Sequence, residues 1–137
     1  MSAKVQASTM TPRSQLTVPP PVIVVDDDLA VCNSLKFSLE LEGFAVRAYH
    51  SGAELLAADN FRDCGCLVID QRMPGMNGME LIARLRARHV TTPAILIISS
   101  PNAALSARAA TAQVPIIEKP LLNNALVEKI QEACAGS

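Results

Sequence analysis

Continuous aliphatic runs alternate with amphipathic segments along most of this 137-residue chain. Runs of β-branched and aliphatic residues without polar alternation are typical of strands that are buried on both faces of a parallel sheet. Residues 22–25, 66–70 and 94–98 have this composition, and two more mixed runs occupy residues 45–49 and 115–118. The pattern therefore predicts five strands.

Helical periodicity and capping residues fill the intervals between these strands. Apolar residues at four-residue spacing predict a helix over 29–42 that stops at Gly43. Ser51 and Asn77 each precede an acid by three residues, which predicts helix starts at both positions. Further helices are expected over 102–112 and 123–133. The first of these is rich in alanine and should dock weakly, because alanine buries little apolar area.

Five strands that alternate with five helices over short loops indicate an α/β domain. The expected architecture is a doubly wound, five-stranded parallel sheet with right-handed crossovers and helices on both faces. The apolar periodicity predicts one domain over residues 21–135. Residues 1–20 are rich in serine, threonine and proline, so we expect them to form a flexible N-terminal tail.

Composition excludes several functional classes. Twelve basic residues against 13 acidic ones, with little aromatic content, argue against direct binding of nucleic acid. The spacing of the four cysteines matches neither a zinc site nor a disulfide framework, so free thiols in a reducing compartment are expected. The sequence contains no apolar run of membrane-spanning length and no signal peptide, which favours a cytoplasmic protein without membrane contact.

Chemically active side chains stand at the predicted strand ends. Asp26 and Asp27 follow the first strand, Asp70 ends the third, and Ser99 and Lys119 follow the fourth and fifth. The carboxyl ends of parallel strands share one edge of a sheet, where open α/β folds place their ligand sites. We therefore expect these side chains to be neighbours. The alternative is that each serves a turn, a helix cap or a solvated strand end.

Three carboxylates at one edge repel one another and need a cation or protons. Mg²⁺, which prefers oxygen ligands, is the expected cofactor. With the charge neutralised, Asp70 becomes a candidate nucleophile toward a phosphoryl group, and Lys119 and the Ser99 hydroxyl become candidate ligands of the phosphoryl oxygens.

The motifs of this chain resemble those of the response regulator receiver domain of two-component signalling. The resemblance is carried by Val24-Val25-Asp26-Asp27, by Asp70 with Met73-Pro74-Gly75-Met76-Asn77-Gly78, and by Glu118-Lys119-Pro120. It implies a flavodoxin-like sheet of order 2-1-3-4-5 and an aspartyl-phosphate switch, with Asp70 accepting phosphate from a histidine kinase or phosphotransfer protein.

The same resemblance implies roles for the remaining site residues. Asp27, Asp70 and the backbone carbonyl of Arg72 would hold Mg²⁺, and Asp26 would assist through a water molecule. Lys119 would contact the phosphoryl group, and its peptide bond to Pro120 is expected to be cis. A downstream effector protein would bind the face formed by the fourth helix, fifth strand and fifth helix, and phosphorylation-linked dimerisation is among the expected outcomes.

Two positions depart from the family pattern. Members usually carry a switch hydroxyl at the end of the fourth strand, where ungapped counting from Asp70 places Ile98. We expect a bulge or an early strand end to bring Ser99 into that position. Ile116 stands where many members have a rotating aromatic residue, so no aromatic gate is available.

Two other functions remain open from the sequence. Ile98 and Ile116 at the switch positions are compatible with a receiver-like binding module that acts without phosphate. Asp26 and Asp28 have the Asp-x-Asp spacing of the nucleophile motif of haloacid-dehalogenase-like phosphatases, although a lone motif of this kind is weak. As a receiver domain, the protein would not be an enzyme beyond its own phosphorylation and dephosphorylation at Asp70.

Overall fold

The computed structural model describes residues 20–121 and 124–135. Five strands and five helices alternate along this part of the chain. The strands are β1 (Val22–Val25), β2 (Val46–Tyr49), β3 (Cys66–Asp70), β4 (Ala94–Ile98) and β5 (Ile116–Glu118). The helices are α1 (Leu29–Leu41), α2 (Gly52–Ala58), α3 (Gly78–Ala87), α4 (Ala103–Thr111) and α5 (Ala125–Ala135).

The predicted bounds of these elements hold to within two residues where they can be compared. β5 begins at Ile116 rather than at the expected Pro115, because proline has no N–H to donate to the ladder. The predicted tail over residues 1–20 lies outside the described residues apart from Pro20, and so does the predicted start of the last helix at Asn123.

The five strands form one parallel sheet of order β2-β1-β3-β4-β5. This confirms the predicted fold class and strand order. All strands point the same way, so their carboxyl ends share one edge. Val25 pairs with Ile69 and Asp70 pairs with Ile97, which places Asp26 beside Asp70 at that edge.

Alternate strand residues feed two apolar layers on opposite faces of the sheet. On one face, side chains such as Ile23, Val25 and Ile69 pack with residues of α2, α3 and α4. On the other face, Val22, Val24 and the remaining inward side chains pack with residues of α1 and α5. Burial on both faces explains why the strand sequences are continuously apolar.

Side-chain caps fix the starts of the helices near the carboxyl edge. Asp28 caps α1 by accepting hydrogen bonds from the N–H groups of Ala30 and Val31. At α2, the Ser51 hydroxyl accepts a hydrogen bond from the Glu54 N–H. The Glu54 carboxylate accepts from the His50 N–H rather than from the Ser51 N–H, so the two residues do not form a reciprocal capping box.

Helix α4 is anchored by few side chains, as its alanine-rich sequence predicts. Leu105 and Ala109 are its buried residues. At about 25 cal/mol per Å² of apolar area, such a face contributes less to docking than those of its neighbours. α3, for example, buries Met79, Leu81, Ile82 and Leu85 as well as Gly78.

The four cysteines are free thiols, as expected, and Cys32, Cys64 and Cys66 are buried. Burial raises the pKa of the Cys66 thiol to about 12, so this side chain stays protonated and unreactive at neutral pH. Among the described residues, none of the helices is long and apolar enough to cross a lipid bilayer.

Candidate functional site

The carboxyl edge of the sheet brings together an acidic cluster formed by Asp26, Asp27 and Asp70. Each offers a carboxylate oxygen, and these three oxygens lie within 4.8 Å of one another. Asp26 and Asp70 are buried, whereas Asp27 is exposed. The side chains come from the loop after β1 and from the last residue of β3, so the parallel register places them together.

Lys119 supplies the positive charge that faces this cluster. Its Nζ lies 2.9 Å from Asp70 Oδ1 and 3.7 Å from Asp26 Oδ2. Burial lowers the Lys119 pKa, but the nearby carboxylates of Asp70, Asp26 and Asp28 together outweigh that effect, and the net pKa is raised. The backbone N–H of Lys119 donates to the Ile98 carbonyl at 2.7 Å, which fixes the start of the loop after β5.

The contact between Lys119 and Asp70 is an ion pair without hydrogen-bond alignment. Asp70 is 4% exposed, and its Oδ1 atom is buried without a well-directed hydrogen-bond donor among the described residues. Burial of a carboxylate is costly unless it is both paired and hydrogen-bonded, and the ammonium group of Lys119 meets only the first condition at Oδ1. Its environment therefore favours the arrival of a further cation or donor.

Asp26 is held more firmly than Asp70. Its Oδ1 accepts a hydrogen bond of 2.9 Å from the Asp28 N–H, and the whole residue is 2% exposed. Burial is the main cause that raises the pKa of Asp26 above its usual range, and the nearby Asp70 charge adds to the rise. Asp26 is thus oriented by the backbone while its charge remains unfavourable.

The loop after Asp70 is tied to both neighbouring elements. The Gln71 N–H donates to the Ile97 carbonyl, and the Gln71 carbonyl accepts from the Gly78 N–H. Asn77 caps α3 in a complete capping box with Glu80. These bonds hold the tip of β3 against the start of α3.

Sequence reasoning missed the role of Gln71. Its side-chain Oε1 accepts a hydrogen bond from the Met79 N–H at 3.0 Å, which adds a side-chain link from the loop to α3. A polar residue directly after a strand-end carboxylate was the available signal.

The fourth strand contradicts one sequence-based expectation. Ile97 pairs with Asp70 of β3, and the next residue, Ile98, pairs with Glu118 of β5, so no extra residue lies between the two pairs. β4 therefore continues through Ile98. The bulge or early strand end that we expected to restore Ser99 is therefore absent. Ile98 is 4% exposed because its side chain packs in the apolar layer that also contains residues of α2, α3 and α4. This burial keeps the strand regular.

Ser99 is exposed and lies just beyond the end of β4. Its contact with a phosphoryl group remains a prediction. Ile116 is partly buried against the same apolar layer as Ile98, so two aliphatic side chains occupy the expected switch positions. The peptide bond between Lys119 and Pro120 is cis, as the resemblance implied.

The donor atoms and the charge of the acidic cluster suit a divalent cation. Three carboxylates face one lysine ammonium, which leaves two formal negative charges without a partner in the cluster. A magnesium ion with oxygen ligands at about 2.1 Å spans about 4.2 Å between opposite ligands. Oxygens within 4.8 Å of one another match that span.

Residues 22–131 match the response regulator receiver domain family. The chain belongs to this family. The assignment confirms the resemblance found in the motifs.

Curated relatives of this receiver domain are transcriptional regulatory proteins. FixJ of Rhizobium meliloti is 38% identical over 114 residues, which cover 82% of this chain and 55% of the relative. DctR of Rhodobacter capsulatus, a C4-dicarboxylate transport transcriptional regulatory protein, is 35% identical over 118 residues, which cover 84% of this chain and 60% of the relative. The chain thus spans little more than half the length of these relatives.

Solved structures agree with this fold. The crystal structure of FixJ-N is 34% identical, has a TM-score of 0.78, and the match covers 86% of this chain and 95% of that chain. The receiver domain of the Francisella response regulator 1452 has a TM-score of 0.78 at 24% identity, with 85% and 98% coverage. The latter likeness concerns the fold alone.

Asp26→Asn should stabilise the metal-free receiver domain at neutral pH. The folded-state pKa of Asp26 is raised above the value of 3.8, mainly by burial, so the charged carboxylate disfavours folding. Its contribution to stability is present at low pH and is lost as pH rises through the folded-state pKa. The gain from the amide should therefore shrink as the solution is acidified through that pKa toward 3.8.

Thermal unfolding of both proteins in a chelator, measured across this pH range, tests the expectation. Asp59→Asn provides the control because Asp59 is exposed at the end of α2 and lies outside the acidic cluster. Equal effects of the two substitutions at every pH would contradict the assigned role of burial at Asp26.

Proposed function

We propose that Asp70 accepts a phosphoryl group from a histidine kinase or a phosphotransfer protein, and that the chain acts as the phosphorylation-dependent switch of a two-component system. One observation carries the proposal: buried Asp70 lies 2.9 Å from Lys119 and shares the acidic cluster with Asp26 and Asp27. The proposed nucleophile, a positive charge and the proposed cation ligands thus lie together at one sheet edge.

The proposed transfer forms one bond and breaks one. Lys119 contacts Asp70 Oδ1, which leaves Oδ2 to attack the phosphorus atom. The phosphorus–nitrogen bond of the donor phosphohistidine breaks, and its electron pair returns to the imidazole nitrogen. Phosphoryl transfer depends chiefly on positioning and charge stabilisation, and Lys119 is placed to neutralise an equatorial phosphoryl oxygen.

Asp27, Asp70 and the Arg72 carbonyl are the proposed magnesium ligands, and Asp26 would act through water. When bound, Mg²⁺ would supply positive charge to the phosphoryl oxygens and relieve repulsion within the cluster. The phosphoryl group would later leave Asp70 by hydrolysis. The proposal therefore includes self-phosphorylation and self-dephosphorylation, but no turnover of a separate substrate.

The proposed output face consists of α4, β5 and α5. α4 is the natural element to move, because Leu105 and Ala109 are its buried residues and weakly anchored elements open at lower free energy. A downstream effector protein, or a second copy of the domain, would read this face.

Replacing Lys119 with methionine should impair both the metal-free fold and phosphorylation. The substitution keeps the apolar stem but leaves Asp26 and Asp70 without the ammonium group at 3.7 Å and 2.9 Å. We expect a loss of about 2 kcal/mol in the free energy of unfolding without metal, since Lys119 is partly exposed and the penalty is below that of a fully buried pair. The rate of phosphorylation by acetyl phosphate should fall roughly tenfold or more.

Urea unfolding and mass spectrometry measure the two effects. Lys129→Met on α5 is the matched control, because it removes a lysine charge outside the acidic cluster. Mg²⁺ should recover part of the stability of Lys119→Met, since it replaces the missing positive charge. Indistinguishable stability and phosphorylation in the two variants would contradict this account of Lys119.

A second candidate function is a receiver-fold binding module that acts without phosphate. The regular end of β4 favours it, because buried Ile98 presents no hydroxyl that could follow a phosphoryl group. In this case the α4–β5–α5 face would bind its partner constitutively.

Titration with Mg²⁺ and beryllofluoride, a phosphoryl mimic, separates the two functions when followed by amide NMR. A phosphorylation switch should show saturable shifts at the acidic cluster together with shifts in α4 and β5. Failure to bind the mimic, with partner binding intact, would favour the constitutive module. Binding confined to the cluster, without a response at α4 or β5, would remove the proposed output face.

A further inference from the structure

A cavity of about 440 Å³ opens between the loop after β3 and the start of α4. Gln71 and Arg72 line one side, Ser99 and Ser100 lie at the end of β4, and Arg108 faces in from α4. Its volume falls in the range of small-ligand sites. The cavity adjoins the loop that follows Asp70, but Asp70 is not among its lining residues.

The polar groups around this cavity are mainly hydrogen-bond donors. The lining includes two arginines and two serines and contains no carboxylate among the described residues. Its three side-chain amides, Gln71, Asn77 and Asn102, already use their oxygen atoms to accept the N–H groups of Met79, Glu80 and Leu105, respectively. Their amino groups remain as donors.

The two arginines differ from those that serve the fold. Arg47 pairs with Asp63, and Arg86 donates to the carbonyls of Val90 and Thr92. The guanidinium groups of Arg72 and Arg108 have no hydrogen bond or ion pair within the described part of the chain, and both residues are exposed. Two guanidinium groups thus line one cavity that has no carboxylate among its described lining residues.

We propose that this cavity binds a small oxyanion, either a carboxylate or a phosphate, between Arg72 and Arg108. Guanidinium groups match both anions through paired N–H donors. The serine hydroxyls and the amide donors at the cavity wall provide further hydrogen bonds. The ligand is free in solution and is distinct from a phosphoryl group attached to Asp70.

Binding would connect two elements that line the same cavity. Arg72 belongs to the loop after the strand-end carboxylate, whereas Arg108 belongs to weakly anchored α4. An anion held by both would favour one position of α4 relative to the loop. The site thereby offers a small-molecule input to the same element that we propose as the output of phosphorylation.

The acidic cluster opposes this binding through its charge. Asp70 directly precedes Gln71, so an incoming anion experiences repulsion from the sheet edge. Mg²⁺ would reduce this repulsion, and titrations should therefore show tighter binding when the ion is present. This dependence distinguishes the cavity from a general basic surface.

Amide NMR of the chain, titrated separately with inorganic phosphate and with acetate in the presence of Mg²⁺, tests the site. We expect saturable shifts over residues 99–108, and the anion with the lower dissociation constant identifies the preferred chemistry. Arg72→Ala and Arg108→Ala should each weaken binding roughly tenfold, as expected for loss of charge-assisted hydrogen bonds. Arg88→Ala, at the far end of α3, is the charge-matched control and should retain binding.

Asp70→Asn separates this inference from the proposed phosphorylation. It removes the phosphoacceptor but no cavity residue, so it should retain or strengthen the response to both anions. Absence of saturable shifts, equal weakening in all three arginine variants, or shifts centred on Asp27 and Lys119 would overturn the cavity site. None of these outcomes would bear on whether Asp70 accepts phosphate.

Discussion

Acetyl phosphate with Mg²⁺ should add one phosphate to the wild-type chain and none to Asp70→Asn. The Asp70 carboxylate is the nucleophile in the proposed reaction, and an asparagine amide of the same shape does not form the acyl phosphate. The product on Asp70 should be stable to acid and cleaved by hydroxylamine, as expected of an acyl phosphate. Intact-protein mass spectrometry measures the added phosphate.

Two matched carboxyl substitutions make this experiment specific. Asp59→Asn alters an exposed acid at the end of α2 and should leave labelling unchanged. Asp26→Asn retains an oxygen that can accept the Asp28 N–H, so it should reduce the rate while keeping the site of labelling. Labelling that survives Asp70→Asn but is lost in Asp26→Asn would instead support the Asp-x-Asp phosphatase chemistry.

Gly78→Ala should destabilise the domain by about 2 to 3 kcal/mol, in the range of overpacked cores. A Cβ atom at Gly78 would lie 2.8 Å from the Asp70 carbonyl oxygen, 3.1 Å from Gln71 Cα and 2.6 Å from Leu96 Cδ1. Two of these three neighbours are backbone atoms, which cannot move without shifting the tip of β3. We therefore expect weaker phosphorylation of the folded variant as well.

Gly52→Ala is the matched control because Gly52 and Gly78 are both the first residues of helices. A Cβ atom at Gly52 would lie 2.8 Å from the Met76 sulfur and 3.3 Å from Leu81 Cδ1, and methionine is a flexible side chain. The change in the free energy of unfolding should stay within about 1 kcal/mol. Urea unfolding of both variants tests the contrast, and equal losses would contradict the role assigned to the Asp70 backbone.

Much of the fold was predictable because local and global preferences agree in this chain. β1, β3 and β4 have continuous apolar sequences that suit only positions buried on both faces, and their predicted bounds are confirmed. The strand-end carboxylates then followed from parallel topology, since one edge must collect Asp26 and Asp70. The contact between Lys119 and Asp70 could be predicted once β5 was placed in the sheet.

The remaining features depend on details that sequence patterns do not contain. Whether Ile98 or Ser99 ends β4 depends on the pairing with β5, and the burial of an isoleucine proved a stronger constraint than the preference for a hydroxyl. The Arg72–Arg108 cavity depends on where weakly anchored α4 lies. The close approach of Gly78 to Asp70 depends on the path of the loop between them.

The proposed phosphorylation site is assembled from parts of the chain that are far apart in sequence. Asp26, Asp70 and Lys119 follow or end three different strands, and the ion pairs between them close loops of many residues. Such distant pairings are costly until the intervening chain has folded. A chain still missing its last strand holds the carboxylates without the lysine. The proposed phosphorylation site would therefore be complete only once β5 has joined β1 and β3 in the sheet.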